Sequence, residues 1–385
     1  MAEMVGSSPD IGVLRETLAR IGRRADRAAG FFYAKLFLEH PEIRELFPVQ
    51  MDVQRARLVR AVLRILQGLD EAREDGPEGL ERFLDALGRD HRKFGVRPEH
   101  YVAVGRCLVA ALREYSGSHW TPAVEAVWVD AYELVAGRMV AAASAADADT
   151  PPWWDAEIVR VDRRPRDIAV ITVRPDPPYP FRAGQYASLS TPYRPGLWRP
   201  YSMANAPRDD GTLEFHVRAV PGGWVSSPLV WRGAVGDTLR LGPPTGLLEV
   251  DHVSLRDVLF IAGGTGLAPV KALLEDMAGW NRGRGVTVFF GGRDRDHLYD
   301  LAALRDLARA HGWLTVVPVT EDDPGFAAEA GTLPEAVTRR GPWLRHDVYV
   351  SGSPAMIRAT VDALETEGMK PERVHYDDFT DRWSG

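Results

Sequence analysis

Along the first third of the chain, apolar residues recur every three to four positions, the spacing of an amphipathic helix. Val13, Leu14, Leu18 and Ile21 keep that spacing, and so do Leu58, Val62, Leu63 and Leu66. No strand-like alternation interrupts residues 10 to about 145, so the stretch reads as all-helical. Pro41, Pro98 and Pro122 stand where a first helical turn tolerates a missing N–H. Thr121 places an N-cap hydroxyl directly before the last of them.

The pattern then changes. Ala145 to Trp154 is small, acidic and doubly proline-containing, and it reads as a linker. Short β-rich runs follow at Ile158–Val161, Ile168–Val173, Tyr186–Ser190, Leu213–Val220 and Thr238–Leu241. Turn residues separate them, which predicts a small antiparallel barrel. From Val258 the order becomes strand, glycine turn, helix, with strands at Val258–Ile261, Val286–Phe290, Leu314–Val319 and Val348–Val350. That order predicts a parallel sheet with crossover helices. The expected fold class is therefore multidomain. An all-α domain spans 1–144, a linker 145–154, an antiparallel β-barrel 155–253 and an α/β parallel-sheet domain 254–385.

Composition narrows the choice. A chain of 385 residues is long enough for two or three domains, and 45% apolar with 26% charged residues suits soluble cores. A net charge of −7 argues against nucleic acid as a partner. No apolar run reaches membrane-spanning length; Leu134 to Ala146 comes nearest and is interrupted by Arg138. The N-terminus, with Glu3 and Asp10, lacks a signal-peptide pattern, so a cytoplasmic location is expected. Cys107 is the only cysteine, which excludes an internal disulfide and a four-thiolate iron–sulfur cluster.

Two glycine turns carry chemistry. Gly263-Gly264-Thr265-Gly266-Leu267-Ala268-Pro269 follows an apolar strand and opens a helix, where bare backbone N–H groups favour a pyrophosphate. Ser351-Gly352-Ser353-Pro354-Ala355-Met356 repeats the arrangement later in the same sheet. Together they point to a nicotinamide dinucleotide. Arg293 reads equally as a partner for a ribose 2′-phosphate or as a solvated loop residue, so NADH and NADPH both stay open.

Upstream, Arg199-Pro200-Tyr201-Ser202 alternates faces if extended, letting Arg199 meet a phosphate while Tyr201 packs on an aromatic ring. Gly222-Gly223 with Ser226 and Ser227 offers a second anion cradle. These segments, with the two glycine turns, resemble the ferredoxin–NADP reductase-like superfamily over about 155–385. The resemblance implies FAD on the barrel, held by Tyr186, Arg199, Pro200, Tyr201 and Ser202. It also implies NAD(P) on the parallel-sheet domain. The closing Tyr376-Asp377-Asp378-Phe379 matches where that family sets an aromatic beside the isoalloxazine. Ser351 stands where the family usually has cysteine.

Phe83, Leu84, Leu87 and His91 share one helical face. A histidine on such a stripe is by default a hydrogen-bonded core residue. However, Phe32-Tyr33, Leu36-Phe37, Pro41 to Phe47, and His91 followed by Phe94 to Tyr101 resemble the globin domain of flavohaemoglobins in family order. The resemblance implies haem b with His91 as its iron ligand, Tyr33 and Gln54 as distal donors, and Phe47 and Leu58 lining the pocket. It also implies Tyr101 beside the proximal histidine. Two departures stand out. The family's glutamate on the last globin helix aligns with Ala143, and Leu134 to Ala146 holds no carboxylate. A lysine often precedes the ligand histidine, where Asp90 stands here.

The implied activity is nitric oxide dioxygenation: electrons pass from NAD(P)H through FAD to haem, and NO and O2 leave as nitrate. Its partners are then small molecules, and no external redox partner is required. Two other readings are an O2- or NO-responsive globin kept ferrous by its own reductase, and a haem–flavin reductase acting on another substrate.

Overall fold

A computed structural model describes residues 9–48, 51–69 and 76–377, and the chain divides into two compact units between Trp153 and Trp154. The first unit is helical: α1 (Ile11–Ile21), α2 (Ala25–Glu39), α3 (Asp52–Gly68), α4 (Gly76–His91), α5 (Pro98–Ser116) and α6 (Pro122–Asp147). Asp10 caps α1 by accepting from the Val13 N–H, and Thr121 caps α6 by accepting from Val124 at 3.3 Å. Pro98 and Pro122 fall in the first turns of α5 and α6, as their chemistry predicts, whereas Pro41 opens a 3-10 turn, Pro41–Leu46.

Helix α2 buries Phe32, Tyr33 and Leu36 against Ala103, Cys107 and Ala111 of α5. Small residues there let the two helices approach closely. The same device sets α4 on α6: a Cβ on Gly88 would lie 2.8 Å from the Met139 Cα, so only glycine fits. Gly88→Ala is expected to cost about 1–3 kcal/mol, the usual range for forcing atoms into a packed core. Thermal unfolding of the full chain checks it; a wild-type transition would refute the packing argument.

Helix α3 behaves differently. It has no buried residue, and its apolar positions Leu58, Val62, Ile65 and Leu66 are only half-buried. An amphipathic helix normally buries its stripe. Here the stripe is only part-covered, packing along the edges of three small clusters rather than into one core. Helix α6 runs to Asp147, beyond the expected start of the linker at 145.

The second unit begins at β1 (Trp154–Arg163). It continues through β2 (Ile168–Asp176), β3 (Tyr186–Thr191), β4 (Arg194–Ser202), β5 (Leu213–Arg218), the short α7 (Ser226–Arg232) and β6 (Thr238–Leu241). The sheet is antiparallel in the order β4-β3-β6-β1-β2-β5, and a bridge between Met203 and Phe215 joins its two edges, curling it into a barrel. Inward residues such as Trp154, Ile158, Phe215 and Leu239 are fully or nearly fully buried in one core. Strand β4 has weak sequence signals because Pro195, Gly196 and Pro200 break its propensity; proline is tolerated on an edge strand, and β4 is one.

The remainder alternates β7 (Val258–Gly263), α8 (Leu267–Trp280), β8 (Val286–Gly292), α9 (Leu301–Ala310), β9 (Leu314–Thr320) and β10 (Glu329–Ala330). After these come α10 (Leu333–Arg340), β11 (Asp347–Ser351), α11 (Pro354–Thr366) and β12 (Val374–His375). All pairs are parallel, in the order β10-β9-β8-β7-β11-β12. Central strands covered on both faces read as continuous apolar runs, and Val258 to Ala262 are all buried. Among the described residues, no helix is long and apolar enough to cross a membrane.

Candidate functional site

In the helical unit, α4 ends on His91. Its Nδ1 lies 2.8 Å from the Leu87 carbonyl, one turn back, so Nδ1 carries the proton and donates there. The Nε2 has no hydrogen-bond partner among the described residues and keeps its lone pair. Burial lowers the imidazole below its ordinary pKa, with Asp90 and the Leu87 carbonyl acting the other way. A neutral ring with one fixed N–H and one free lone pair is what a metal ligand needs.

Asp90, read from sequence as a departure in charge, does not face His91 as a bare anion. Lys93 donates to it at 2.6 Å, and both side chains are largely buried. Arg92 is buried as well: Nε donates to Asp147 at 2.8 Å and the guanidinium also bonds Thr150, tying the end of α4 to the exit of α6. The proximal hydrogen-bond acceptor, which the sequence of α6 lacks, is therefore a backbone carbonyl rather than a side-chain carboxylate.

Tyr33 is buried on α2, and its hydroxyl donates to the backbone carbonyl of Gln54 at 3.5 Å. Burial pushes that phenol up to about 12, so it remains a donor at neutral pH. Phe47 meets the Tyr33 ring at 5.4 Å, and Leu58 packs against the same cluster. Tyr101 belongs to another cluster, with Leu84, Leu87 and Met139. Its phenol too is pushed up to about 12 by burial. No group of three metal-ligating side chains occurs among the described residues.

In the second unit a cleft of about 810 Å³ opens between barrel and parallel sheet. Pro200, Tyr201 and Ser202 form part of one wall; Gly264, Thr265, Gly266, Ala268, Pro269, Ser351 and Gly352 form part of the other. The glycine turns touch: a Cβ on Gly266 would lie 2.6 Å from the Gly352 Cα. Gly264 has φ +54, a left-handed value suited to glycine. Leu267 is fully buried beneath the loop.

Arg199 is half-buried, and its only hydrogen bond among the described residues goes to the neighbouring Trp198 carbonyl at 3.0 Å. Burial lowers its guanidinium pKa, the mark of a cation that an incoming anion would stabilise. Tyr186 is buried within β3, paired with Ser202. The Gly222-Gly223 turn is closed by its own residues: the Val220 N–H reaches Ser226 Oγ at 3.4 Å and the Ser227 hydroxyl donates to Val220 O at 3.0 Å. Arg293 is exposed at the cleft edge. Phe379 lies outside the described residues.

His216, Arg218 and His297 also line the cleft, and sequence reasoning passed over them. A signal for the first two existed. Leu213, Phe215 and Val217 are the apolar alternates of β5, which leaves Glu214, His216 and Arg218 on its other face.

A helical unit with one free imidazole nitrogen, followed by a flavin-type barrel and a dinucleotide-type sheet, defines a haem–flavin oxidoreductase. Comparison with known proteins bears this out. Globin matches residues 30–139, the oxidoreductase FAD-binding domain 165–250, and the oxidoreductase NAD-binding domain 260–362. The flavohemoprotein of Bacillus subtilis (strain 168) is 24% identical over 96% of this chain and 96% of its own length. The aromatic O-demethylase reductase subunit of Amycolatopsis is 34% identical over 58% of this chain and 69% of its own. The flavohemoglobin structure from Malassezia yamatoensis, with bound FAD and heme, covers 95% of this chain and 97% of its own at 18% identity, with a TM-score of 0.78. The chain joins a globin domain to FAD-binding and NAD-binding reductase domains in the order found in flavohaemoglobins, and it is an NAD(P)H-dependent oxidoreductase with haem, FAD and a nicotinamide dinucleotide as cofactors.

The residues present fit these groups. The free Nε2 of His91 and the half-buried apolar stripe of α3 suit an iron porphyrin. The Arg199 guanidinium suits a flavin phosphate, and the touching glycine turns leave bare backbone for a pyrophosphate.

Proposed function

We propose that the chain is a nitric oxide dioxygenase that draws its electrons through its own reductase, with no external redox partner. When bound, haem supplies the iron at which O2 and NO react, and FAD with NAD(P)H supplies the electrons. His91 Nε2 is the iron ligand, its ring held in one tautomer by the Leu87 carbonyl. Tyr33, protonated at neutral pH, turns its hydroxyl from the Gln54 carbonyl towards the oxygen substrate, and the Gln54 amide is the second donor. Phe47 and Leu58 keep water out, so those donors act in a dry pocket, where hydrogen bonds to developing charge count most. Tyr101 packs behind the His91 helix. Arg199 holds the flavin phosphate, Pro200, Tyr201 and Ser202 pack along the flavin, and Gly264 to Gly266 with Ser351 and Gly352 receive the dinucleotide.

The observation that supports this reading best is the Tyr33 hydroxyl, buried, protonated and tied to Gln54 through a long, 3.5 Å bond to its backbone carbonyl. Tyr33→Phe is expected to slow aerobic, NADH-dependent NO consumption by roughly 100- to 1,000-fold, the loss typical when one preorganised donor is removed. An NO electrode with nitrate assay checks it. Undiminished turnover would remove Tyr33 from the mechanism, and a wild-type protein that forms no nitrate would end the dioxygenase reading.

A second reading is favoured by one observation. With a neutral carbonyl rather than a carboxylate behind His91, the imidazole is a weaker electron donor. That suits a globin that binds O2 reversibly and uses its reductase only to stay ferrous. Rapid, nitrate-forming turnover excludes it.

A further inference from the structure

Within the reductase unit, barrel and sheet lobes meet through several ion pairs. Arg208 reaches Glu275 at 3.1 Å, Arg166 reaches Asp294 at 2.8 Å and Arg164 reaches Asp300 at 3.6 Å. These arginines are partly exposed, and such pairs hold lobes together only weakly. The centre of the contact is different.

The His216 side chain, on β5 of the barrel, is completely buried. Its Nδ1 lies 2.6 Å from the Tyr299 hydroxyl and its Nε2 lies 3.2 Å from Glu214 Oε1. Lys271 of α8 donates to that same Glu214 oxygen at 2.7 Å and to Asp300 at 2.9 Å. Tyr299 and Asp300 precede α9, so the chain of bonds crosses from one lobe to the other.

Burial pushes the Tyr299 phenol well up, so it stays protonated against Nδ1. Burial would raise the Glu214 carboxyl too, but His216 and Lys271 outweigh it and hold it at about 2. Nε2–H therefore donates to a carboxylate, and the ring is held in one orientation by a partner at each nitrogen. A buried polar network with its members satisfied is rigid. His216 is also part of the cleft wall, beside Tyr201 and Ser202 and across from Gly264 to Gly266. No step proposed above uses it.

We propose that His216, clamped between Tyr299 and Glu214, is a positioning residue for hydride transfer: it sets how far the dinucleotide wall of the cleft stands from the flavin wall. The inference rests on reading this cleft as the place where flavin and nicotinamide meet. In that step a C–H bond of the dihydronicotinamide breaks with its electron pair, which forms the new bond on the flavin. The nicotinamide is oxidised, the flavin is reduced, and His216 neither gains nor loses a proton. The demand on distance is steep, since a misplacement of about 1 Å costs on the order of a hundredfold in rate.

The test uses the full chain loaded with haem and FAD. It is mixed anaerobically with NADH or 4-deuterated NADH and followed by flavin absorbance, with NAD+ affinity measured separately by calorimetry. Tyr299→Phe removes one hydroxyl and leaves the ring in place; His216→Asn alters the clamp itself. Both are expected to slow flavin reduction about tenfold, in keeping with one lost buried hydrogen bond. The deuterium effect should stay at or above the wild-type value, with NAD+ affinity within about twofold. Arg166→Ala, which breaks an exposed pair between the lobes, should reduce at the wild-type rate. Wild-type rates in Tyr299→Phe would overturn the proposal, and that variant decides alone if His216→Asn does not fold. An equal slowing in Arg166→Ala, or a matching loss of NAD+ affinity, would overturn it too, by showing general loosening or a binding role. A wild-type protein that binds neither NADH nor NAD+ would instead refute the reading of the cleft, and this inference with it.

Discussion

His91→Ala is expected to give a protein that folds and keeps its flavin but purifies without a Soret band. The iron ligand proposed here is a single nitrogen. Nε2 alone has no partner, while Nδ1 is already committed to Leu87. Among the described residues, no other cluster of metal-ligating side chains stands ready to replace it. The half-buried stripe of α3 would offer a porphyrin apolar contact but no bond to iron. The loss should be near complete at micromolar haem, because a coordinate bond is exchanged for water. NADH-driven reduction of ferricyanide, which needs only the second unit, should persist near the wild-type level. Free imidazole added to the variant should restore part of the Soret absorbance. A His91→Ala protein with full haem content and an unchanged spectrum would remove His91 from the role of ligand.

The second large effect is expected at Gly266. An added Cβ there falls under 3 Å from backbone atoms of Ser351 and Gly352, and backbone, unlike the tip of a flexible side chain, has nowhere to retreat. Gly266→Val must push the two glycine turns apart, at a cost of about 1–3 kcal/mol. The same turns are the proposed dinucleotide wall. Displacing them by about 1 Å predicts flavin reduction by NADH slowed on the order of a hundredfold. Haem and FAD content should be unchanged, and dithionite should still reduce both. Stopped-flow reduction checks it. A variant reduced by NADH at the normal rate would mean that the dinucleotide does not lie on this loop.

Much of the architecture was legible because the relevant interactions are local. The helical period of the first third, the proline first turns of α5 and α6, and the strand–glycine–helix order of the last third all depend on residues a few positions apart. Strand β4 was less legible, since its prolines and glycine argue for a loop until the edge of the sheet makes them acceptable. Of the site, His91, Tyr33 and the Arg199 to Ser202 segment could be singled out, because each sits in an ordered string of neighbours. Asp90 could not be judged from its identity alone. As a lone carboxylate it would recharge the proximal side; with Lys93 one turn on, it is half of an ion pair.

What the sequence alone determined, then, is the order of the three folds and the residue types offered to each cofactor, because periodicity, capping and glycine turns act over short spans of chain. The tertiary structure decided which groups remain free once packing is complete. It left the α3 stripe half-covered and Nε2 of His91 unpartnered, pressed Gly88 against α6 and Gly266 against Gly352, and joined His216 to Tyr299 from 83 residues away. Such pairings depend on how separate elements meet in space, and a pattern read along one strand or helix carries no record of its distant neighbour.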